Sequence, residues 1–483
     1  MNAAQNESGS RGGSRAGTRQ GSTQRGAQGG RVQPARQVAY DVIAAVRDSD
    51  AYANLLLPVR MSRAALSTAD AALATELTYG TLRRQGYYDA VIAIAAGRAV
   101  DQIDPPILDV LRLATHQLLS MRTAQHAAVD EAVSLARSVG SRSATGFVNG
   151  VLRTITRTDP AEWQRRAIAT ATTDDERLSI EHSHPVWIVR AFRQALTAEG
   201  RENELVALLE SDNAAPRVGI AALPGLANTD ELQGADPAGF SPVGATLHGG
   251  DPSGLPAVSA GRARVQDEGS QLAALALSRA RPIEAGERWL DLCAGPGGKA
   301  ALLAAEARNG GATLIANEIV PARAQLVRNA LAVFHPAIEV WEQDGTMTGA
   351  EHPNSFDRIL LDAPCTGLGA LRRRPEARWR KQPKDVGQLT RLQEELLSSA
   401  LDALKPGGIL AYVTCSPHVG ETRLIVDAAV KKAGGSVVKL NTGAVLDGVT
   451  TEQLDLPDAD HVQLWPHRHG TDAMFIQLLS KVG

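Results

Sequence analysis

Two cysteines in this sequence each stand directly after a predicted strand and beside a proline. Cys365 lies in the segment L-L-D-A-P-C-T-G-L-G together with Asp362, and Cys415 lies in Y-V-T-C-S-P-H-V-G-E-T. A thiolate can attack a carbon atom, and a second thiol can accept or donate a proton. A lone cysteine in an α/β core is usually a small apolar side chain. Two at the mouths of neighbouring predicted strands indicate a catalytic pair.

A glycine-rich segment, D-L-C-A-G-P-G-G-K from Asp291 to Lys299, follows another predicted strand and opens a predicted helix. Glycines let a ligand approach the backbone closely, and free amides at a helix N-terminus point towards it. The segment is not a P-loop, because Ala300 stands where a P-loop has serine or threonine. Many nucleotide sites contain such a turn, although some glycine turns bind nothing.

Two acidic residues follow the next two predicted strands. Glu318 comes about 20 residues after the glycine loop, where a carboxylate can accept both ribose hydroxyls of a nucleoside. Asp344 follows the third strand, where it could accept the exocyclic amine of adenine. Either acid could instead be a solvated residue at a strand end, and the preceding glycine loop favours the binding interpretation for Glu318.

Basic residues are concentrated in two segments of a chain whose formal net charge is −3. Seven basic residues and one acidic residue lie between Arg372 and Lys384, and the first 36 residues hold six arginines and Glu7. This distribution indicates a localised contact with a polyanion. Trp379 within the first segment could stack on a base. The alternative is a solvated basic loop with Trp379 as its apolar anchor.

Alternating strands and helices must position these groups, and such alternation predicts a parallel sheet with helices on both faces. The predicted strands are Trp289–Leu292, Ala312–Ala316, Ile338–Trp341, Phe356–Leu361 and Ile409–Thr414. Ligands of such sheets bind at the carboxyl ends of the strands. Cys293, Cys365 and Cys415 all fall at or just after strand ends, so we expect them to share this edge.

The chain divides into four predicted parts. Residues 1–34 are rich in Gly, Ser, Gln and Arg and predict a disordered basic arm. Residues 35–160 carry apolar residues at helical spacing, as in Ile107, Val110 and Leu111, and predict an all-α bundle. Residues 161–260 predict a small connecting domain, and residues 261–483 the α/β domain.

Composition excludes several other classes of protein. No run of 18 apolar residues or signal-peptide pattern occurs, so we expect a cytoplasmic protein without membrane contact. Three cysteines without a C-x-x-C pair predict neither a disulfide framework nor a metal site. We take a monomer as the default oligomeric state.

The set D-L-C-A-G-P-G-G-K, D-A-P-C-T-G-L-G, R-R-R-P-E-A-R-W and T-C-S-P resembles bacterial RNA 5-methylcytosine methyltransferases, closest to the ribosomal RNA small-subunit methyltransferase B (Sun) family. The helical N-terminal part resembles the NusB-like RNA-binding domain of that family. The resemblance spans about residues 35–483. Gly295 and Ala300 depart from it, since many relatives have alanine and threonine there, a change that is conservative in size.

The resemblance implies an all-α NusB-like bundle followed by an α/β Rossmann-like sheet that binds S-adenosylmethionine. It implies cofactor contacts from Glu318 at the ribose, Asp344 at the adenine, Asp362 near the methyl donor, and the loop Cys293, Ala294, Gly295, Pro296, Gly297, Gly298 and Lys299. It places RNA contacts on the basic segment, at Arg372, Arg373, Arg374, Arg378, Trp379 and Arg380. The substrate implied is a cytosine of 16S ribosomal RNA, and transfer RNA stays open.

The resemblance also implies a role for each thiol. Carbon 5 of cytosine is a poor nucleophile, and addition of the Cys415 thiolate at carbon 6 would load electron density onto it. Cys365 would serve as, or assist, the base that removes the carbon-5 proton, and Asp362 would hydrogen-bond the pyrimidine edge.

Three alternatives remain open at this point. DNA cytosine methyltransferases use the cysteine of a P-C motif and need no second one, so T-C-S at Cys415 favours RNA. A non-catalytic RNA-binding factor would not need the intact motifs. Methylation of a small molecule or a protein would leave the basic segment and the helical part unexplained.

Overall fold

The computed structural model describes residues 32–49, 51–140 and 142–482. The predicted basic arm, apart from its last three residues, lies outside the described residues.

The N-terminal part is a helical bundle, as predicted. Apolar residues at helical spacing, such as Leu111 and Ala114, are fully buried in one continuous core. Pro105 begins its helix at a position where the missing amide costs no hydrogen bond. The helices are α1 (Pro34–Ser49), α2 (Ala53–Arg63), α3 (Thr68–Arg83), α4 (Gln85–Ala96), α5 (Pro105–Leu119), α6 (Gln125–Val139) and α7 (Arg142–Thr156).

The middle of the chain forms short helices and a four-stranded antiparallel sheet. The helices are α8 (Pro160–Ile168), α9 (Asp174–His182), α10 (Val186–Thr197), α11 (Leu205–Asn213) and α12 (Pro256–Ser259), and the strands are β1 (Gly219–Ala222), β2 (Ala235–Pro237), β3 (Gly244–Leu247) and β4 (Ala263–Val265). Trp163 of α8 lies in the core of the N-terminal bundle. The bundle core therefore extends beyond residue 160, and the small sheet takes β4 from beyond residue 260.

The C-terminal part is built on a larger sheet with the strand order β7-β6-β5-β8-β9-β12-β10, in which β11 pairs with β12. Its strands are β5 (Arg288–Asp291), β6 (Thr313–Asn317), β7 (Glu339–Trp341), β8 (Phe356–Asp362), β9 (Leu404–Thr414), β10 (Val437–Lys439), β11 (Val462–Gln463) and β12 (Phe475–Lys481). The neighbours from β7 to β9 are parallel. The order reverses between β5 and β8, so a ligand crevice is expected at their carboxyl ends.

Helices cover both faces of this sheet. The helices of the C-terminal part are α13 (Glu268–Ser278), α14 (Gly298–Asn309), α15 (Pro321–Leu331), α16 (Thr348–Glu351), α17 (Ala377–Arg380), α18 (Pro383–Ala403), α19 (Arg423–Lys432), α20 (Thr442–Asp447) and α21 (Pro466–His469). One core joins the sheet to α13, α14, α15 and α20, and another joins it to α18 and α19. The predicted fold class, a helical bundle followed by a Rossmann-like α/β sheet, is confirmed.

The five predicted strands correspond to β5 to β9 and are parallel as expected, but the sheet contains further strands that were not predicted. The strand β12 runs antiparallel to both β9 and β10. An antiparallel neighbour needs no helical crossover, so the repeating strand-helix pattern does not report it. This strand covers the edge of β9 that would otherwise be unpaired.

No helix in the described part of the chain is long and apolar enough to cross a membrane. Among the same residues, no group of three or more His, Cys, Asp or Glu side chains is arranged to hold a metal ion.

Candidate active site

The loops after β5, β6 and β7 meet at the carboxyl edge of the large sheet. The buried Asn317 side chain ties them together, because its amide donates to the carbonyl oxygens of Leu292 and Gln343, each at 3.1 Å. Its own oxygen accepts from the Gln343 amide at 3.0 Å. Asn317 ends β6 and precedes Glu318, so this network fixes where the glycine loop, Glu318 and the segment leading to Asp344 emerge.

The two thiols meet at the same edge. Cys365 follows β8, Cys415 follows its parallel neighbour β9, and their sulfur atoms lie 3.5 Å apart in hydrogen-bonding contact. The amide of Gly369 donates to the Cys415 carbonyl at 2.9 Å and so joins the two loops. Both cysteines are partly accessible to solvent. This arrangement suits a pair that shares one proton and faces a common substrate.

The contact between the sulfur atoms shifts the pKa values of the two thiols in opposite directions. The hydrogen bond from Cys365 lowers the pKa of Cys415, and Lys299 and Arg374 act in the same direction against burial and Asp362. The hydrogen bond to Cys415, together with burial, raises the pKa of Cys365 well above its ordinary value. Of the two thiols, Cys415 is therefore the one that ionises more easily.

Lys299 and Asp362 form an ion pair beside the thiols. The Lys299 ammonium donates to a carboxylate oxygen of Asp362 at 2.8 Å, and the Asp362 side chain stays about a quarter exposed. Burial lowers the pKa of the half-buried Lys299, but the charges of Asp362 and Cys415 outweigh it and raise this pKa, so Lys299 stays cationic. A fixed cation next to a thiolate stabilises the ionised sulfur.

Removal of this cation should make Cys415 less reactive. In Lys299→Gln the pKa of Cys415 should rise, since a stabilising charge is lost and Asp362 is left unpaired. Alkylation of Cys415 by iodoacetamide at neutral pH should then be several-fold slower than in the unmodified protein, and the pH profile should move upward. Mass spectrometry of the labelled peptide measures this. An unchanged profile would contradict the electrostatic role of Lys299.

The glycine-rich segment begins with a buried acid, Asp291. Asp291 is fully buried, and burial, followed by the charges of Asp362 and Glu318, raises its pKa to about 8. No described side chain donates a hydrogen bond to its carboxyl oxygens, and the backbone amide of Cys293 lies close enough to lower its pKa. At Gly297, with φ of +107°, a Cβ atom would lie 2.6 Å from that of Ala330, so only glycine allows this turn to start α14.

Glu318 and Asp344 follow β6 and β7, the two strands that come next after β5 in the sheet. Glu318 is buried, accepts from the Val320 amide at 3.0 Å and pairs with Arg323 at 3.3 Å. A Cβ atom at Gly295 would lie 2.2 Å from a Glu318 oxygen, so glycine lets this carboxylate approach the loop. Asp344 is exposed and caps the next turn by accepting from Thr346.

These residues fit a cationic nucleoside. Asp291, Glu318 and Asp362 lie around the glycine loop, and a positively charged sulfonium or amine bound beside them would favour the ionised form of Asp291. Glu318 offers carboxylate oxygens suited to ribose hydroxyls. A cation bound here would offset the effect by which Asp362 and Glu318 raise the pKa of Asp291.

Comparison with known proteins identifies the chain. Residues 280–480 match the family described as 16S rRNA methyltransferase RsmB/F, and residues 33–157 match the NusB family. A relative in Mycobacterium tuberculosis (strain H37Rv) that is described as a methyltransferase, Rv1407, is 46% identical over 93% of this chain and 97% of its own length. Ribosomal RNA small subunit methyltransferase B of Klebsiella pneumoniae is 31% identical over 77% of this chain and 83% of its own length. The chain belongs to the RsmB/F family.

Solved structures support the fold of this RsmB/F protein. The crystal structure of PH0851 has a TM-score of 0.76 with 21% sequence identity, and covers 93% of this chain and 99% of that one. NSun6 from Pyrococcus horikoshii has a TM-score of 0.50 with 16% identity, and covers 62% of this chain and 98% of that one.

The basic segment of this RsmB/F protein mainly joins its parts. Arg378 is fully buried, and its guanidinium donates to the carbonyl oxygens of Arg83, Ser183 and Asp212 and to the side chain of Asn213. Its guanidinium joins the helical bundle, the connecting helices and α17. The prediction that Arg378 contacts RNA is therefore wrong.

Other members of this segment are held in similar ways. Arg372 is buried against Asp472, and Arg373 pairs with Asp267 at 2.6 Å and with Asp472 at 3.0 Å. Burial of Arg372 also contradicts its predicted RNA contact. Trp379 packs against Gly86 of α4 and donates to the Leu82 carbonyl at 3.3 Å, and Arg380 donates to the carbonyl oxygens of Val46 and Ala51.

Arg374 is the exposed arginine of this set. Its guanidinium lies 5.5 Å from the ring centroid of Tyr52, which is half exposed and also faces Arg380. Arg374 also lies close enough to Cys415 to lower the pKa of that thiol. Tyr52 was not predicted, because nothing in its local sequence distinguishes it from a core aromatic residue of the bundle.

Loss of Arg378 should destabilise the protein. In Arg378→Met four acceptors, three of them in buried hydrogen bonds, lose their donor, and we expect the free energy of unfolding to fall by about 3–5 kcal/mol. Denaturant unfolding measures this change. Arg374→Ala is the matched control, since its exposed side chain should change stability by less than about 1 kcal/mol. Equal stability of Arg378→Met and the unmodified protein would contradict the structural role.

Proposed function

We propose that this RsmB/F methyltransferase transfers a methyl group from S-adenosylmethionine to carbon 5 of a cytosine in 16S ribosomal RNA through a covalent bond between Cys415 and carbon 6. The observation that carries the proposal is the 3.5 Å contact between the Cys365 and Cys415 sulfur atoms at the carboxyl edge of the large sheet. Family membership and the name of the Klebsiella relative support ribosomal RNA as the substrate.

The first step is addition. The Cys415 thiolate forms a bond to carbon 6, and the electrons of the 5,6 double bond move towards carbon 5 and the ring nitrogen. Asp362 is paired with Lys299 and lies at the end of β8, shortly before Cys365. It is the group proposed to hydrogen-bond the pyrimidine edge. S-adenosylmethionine, when bound, supplies an electrophilic methyl group to carbon 5.

The second step is elimination. Once the Cys415 charge has passed into the ring, the main cause that raises the Cys365 pKa is gone. Cys365, which is partly accessible, can release its proton to water and then accept the proton of carbon 5. Those C–H electrons restore the double bond as the bond between Cys415 and carbon 6 breaks, and the thiolate is regenerated.

The proposed cofactor contacts are the loop from Cys293 to Lys299, with Glu318 at the ribose and Asp344 at the adenine. The proposed RNA contacts are Arg374, with Tyr52 as a stacking surface for an unpaired base beside the target. A base must leave any stack to reach the thiols, and an exposed aromatic ring flanked by guanidinium groups suits the neighbouring nucleotide.

A methylation assay tests the proposal. The purified protein, S-adenosylmethionine with a labelled methyl group, and unmodified 16S ribosomal RNA should yield 5-methylcytosine at a defined position that bisulfite sequencing identifies. Transfer RNA and a DNA oligonucleotide of the same sequence should stay unlabelled. Labelling of the transfer RNA or the DNA alone would reassign the substrate. Failure to bind S-adenosylmethionine in calorimetry would instead indicate a non-catalytic RNA-binding factor.

A further inference from the structure

A buried carboxylate lies directly behind the two thiol loops. Glu421 has no exposed surface, and it follows Cys415 by six positions in the short 3-10 turn that precedes α19. Its carboxylate accepts hydrogen bonds from the Thr366 amide at 2.8 Å, from the Thr366 hydroxyl, and from the Ser416 hydroxyl at 2.7 Å. Thr366 and Ser416 are the residues immediately after Cys365 and Cys415, so one carboxylate holds both loops.

The contacts around Glu421 restrain the Cys365 loop on both sides of the sulfur. The buried Gln393 of α18 donates to the carbonyl of Pro364, the residue before Cys365, at 2.8 Å, and to Glu421 at 3.4 Å. The hydroxyl oxygens of Thr366 and Ser416 lie 3.1 Å from each other. The two loops are thereby joined through donors that converge on a single acceptor.

We propose that Glu421 is a positioning residue that fixes the distance between the sulfur atoms of Cys365 and Cys415. This inference rests on the proposed covalent mechanism for its catalytic meaning, while its geometric part stands on the contacts alone. A carboxylate suits this position, because four donors face it. A glutamine would offer one acceptor oxygen and would turn its own amide donors towards them. The negative charge also contributes to the raised pKa of Cys365.

The test compares Glu421→Gln with the unmodified protein by two readouts. The first is alkylation of each thiol by iodoacetamide as a function of pH, which needs neither RNA nor cofactor. We expect Cys365 to become labelled at lower pH and Cys415 to be labelled more slowly, because the contact between the sulfur atoms, which shifts their pKa values in opposite directions, is weakened. The second is methylation of RNA, where we expect kcat to fall about 100-fold with KM for RNA little changed, as for a small misplacement of reacting groups.

Glu287→Gln is the matched control. Glu287 is also buried and accepts from Trp289 and Arg358, but it lies just before β5 at the opposite edge of the sheet. It should leave the alkylation profiles unchanged. Glu421→Asp, which retains the charge, should recover part of kcat and restore the order in which the two thiols are labelled.

Ser416→Ala keeps Glu421 and removes one link to the Cys415 loop, and it decides the matter if Glu421→Gln does not fold. A folded Glu421→Gln, or failing that Ser416→Ala, with the alkylation profile of the unmodified protein would overturn the inference. Failure of the unmodified protein to methylate RNA would refute the proposed function and leave the alkylation result to be judged by itself.

Discussion

Cys415→Ala should abolish methylation, with a loss of more than about 10⁴-fold in kcat, as expected when the attacking group of a covalent mechanism is removed. The reason is that carbon 5 becomes nucleophilic only after the thiolate adds at carbon 6. Cys415→Ser should be similarly inactive, because a hydroxyl is not ionised at neutral pH. Single-turnover assays with methyl-labelled cofactor measure the loss.

The control for this variant is cofactor binding. Cys415→Ala should bind S-adenosylmethionine as tightly as the unmodified protein, since the proposed cofactor loop is Cys293 to Lys299. Residual activity within tenfold of normal would show that the reaction does not pass through Cys415.

Cys365→Ala should trap the enzyme on its substrate. Addition and methyl transfer need only Cys415, whereas elimination needs a base for the carbon-5 proton, whose loss costs about 10²–10⁴-fold. A protein–RNA complex that survives denaturing electrophoresis should therefore accumulate, and it should require the cofactor for full yield.

The pH dependence of this trapping follows from the thiol pair. The hydrogen bond from Cys365 lowers the pKa of Cys415, so its removal raises that pKa and leaves less thiolate at a given pH. The rate of complex formation in Cys365→Ala should accordingly increase as the pH rises from neutral to mildly alkaline. The double variant Cys365→Ala with Cys415→Ala should form no complex at any pH. Normal turnover without a complex in Cys365→Ala would reverse the roles.

The position of the two thiols was predictable because it depends on the local pattern of strands and helices in the sequence. The alternation of strands and helices places the ends of parallel strands at one edge, and the two cysteines directly follow strands that prove to be neighbours. The glycine loop was also predictable from the sequence, since its turn requires glycine at positions such as Gly297. In each case a local pattern determines both the element and the place of its last residue.

Long-range partners were not predictable in the same way. The cluster from Arg372 to Arg380 predicts an RNA-binding surface, and only the structure shows that acceptors from Arg83, Ser183 and Asp212 surround Arg378. The antiparallel strand β12 was missed for a related reason, as no crossover helix precedes it. Glu421 lies in the segment Y-V-T-C-S-P-H-V-G-E-T, yet its hydrogen bond with Thr366 joins segments separated by 55 residues.

One measurement addresses the central claim most directly. RNA that contains 5-fluorocytidine at the target position cannot complete elimination. A base can remove a proton from carbon 5, but it cannot remove fluorine as a cation. Incubation of the unmodified protein with this RNA and S-adenosylmethionine should give a covalent complex, and peptide mapping should place the bond to RNA at Cys415. A bond to Cys365, or the absence of any complex despite methylation of the normal RNA, would contradict the account.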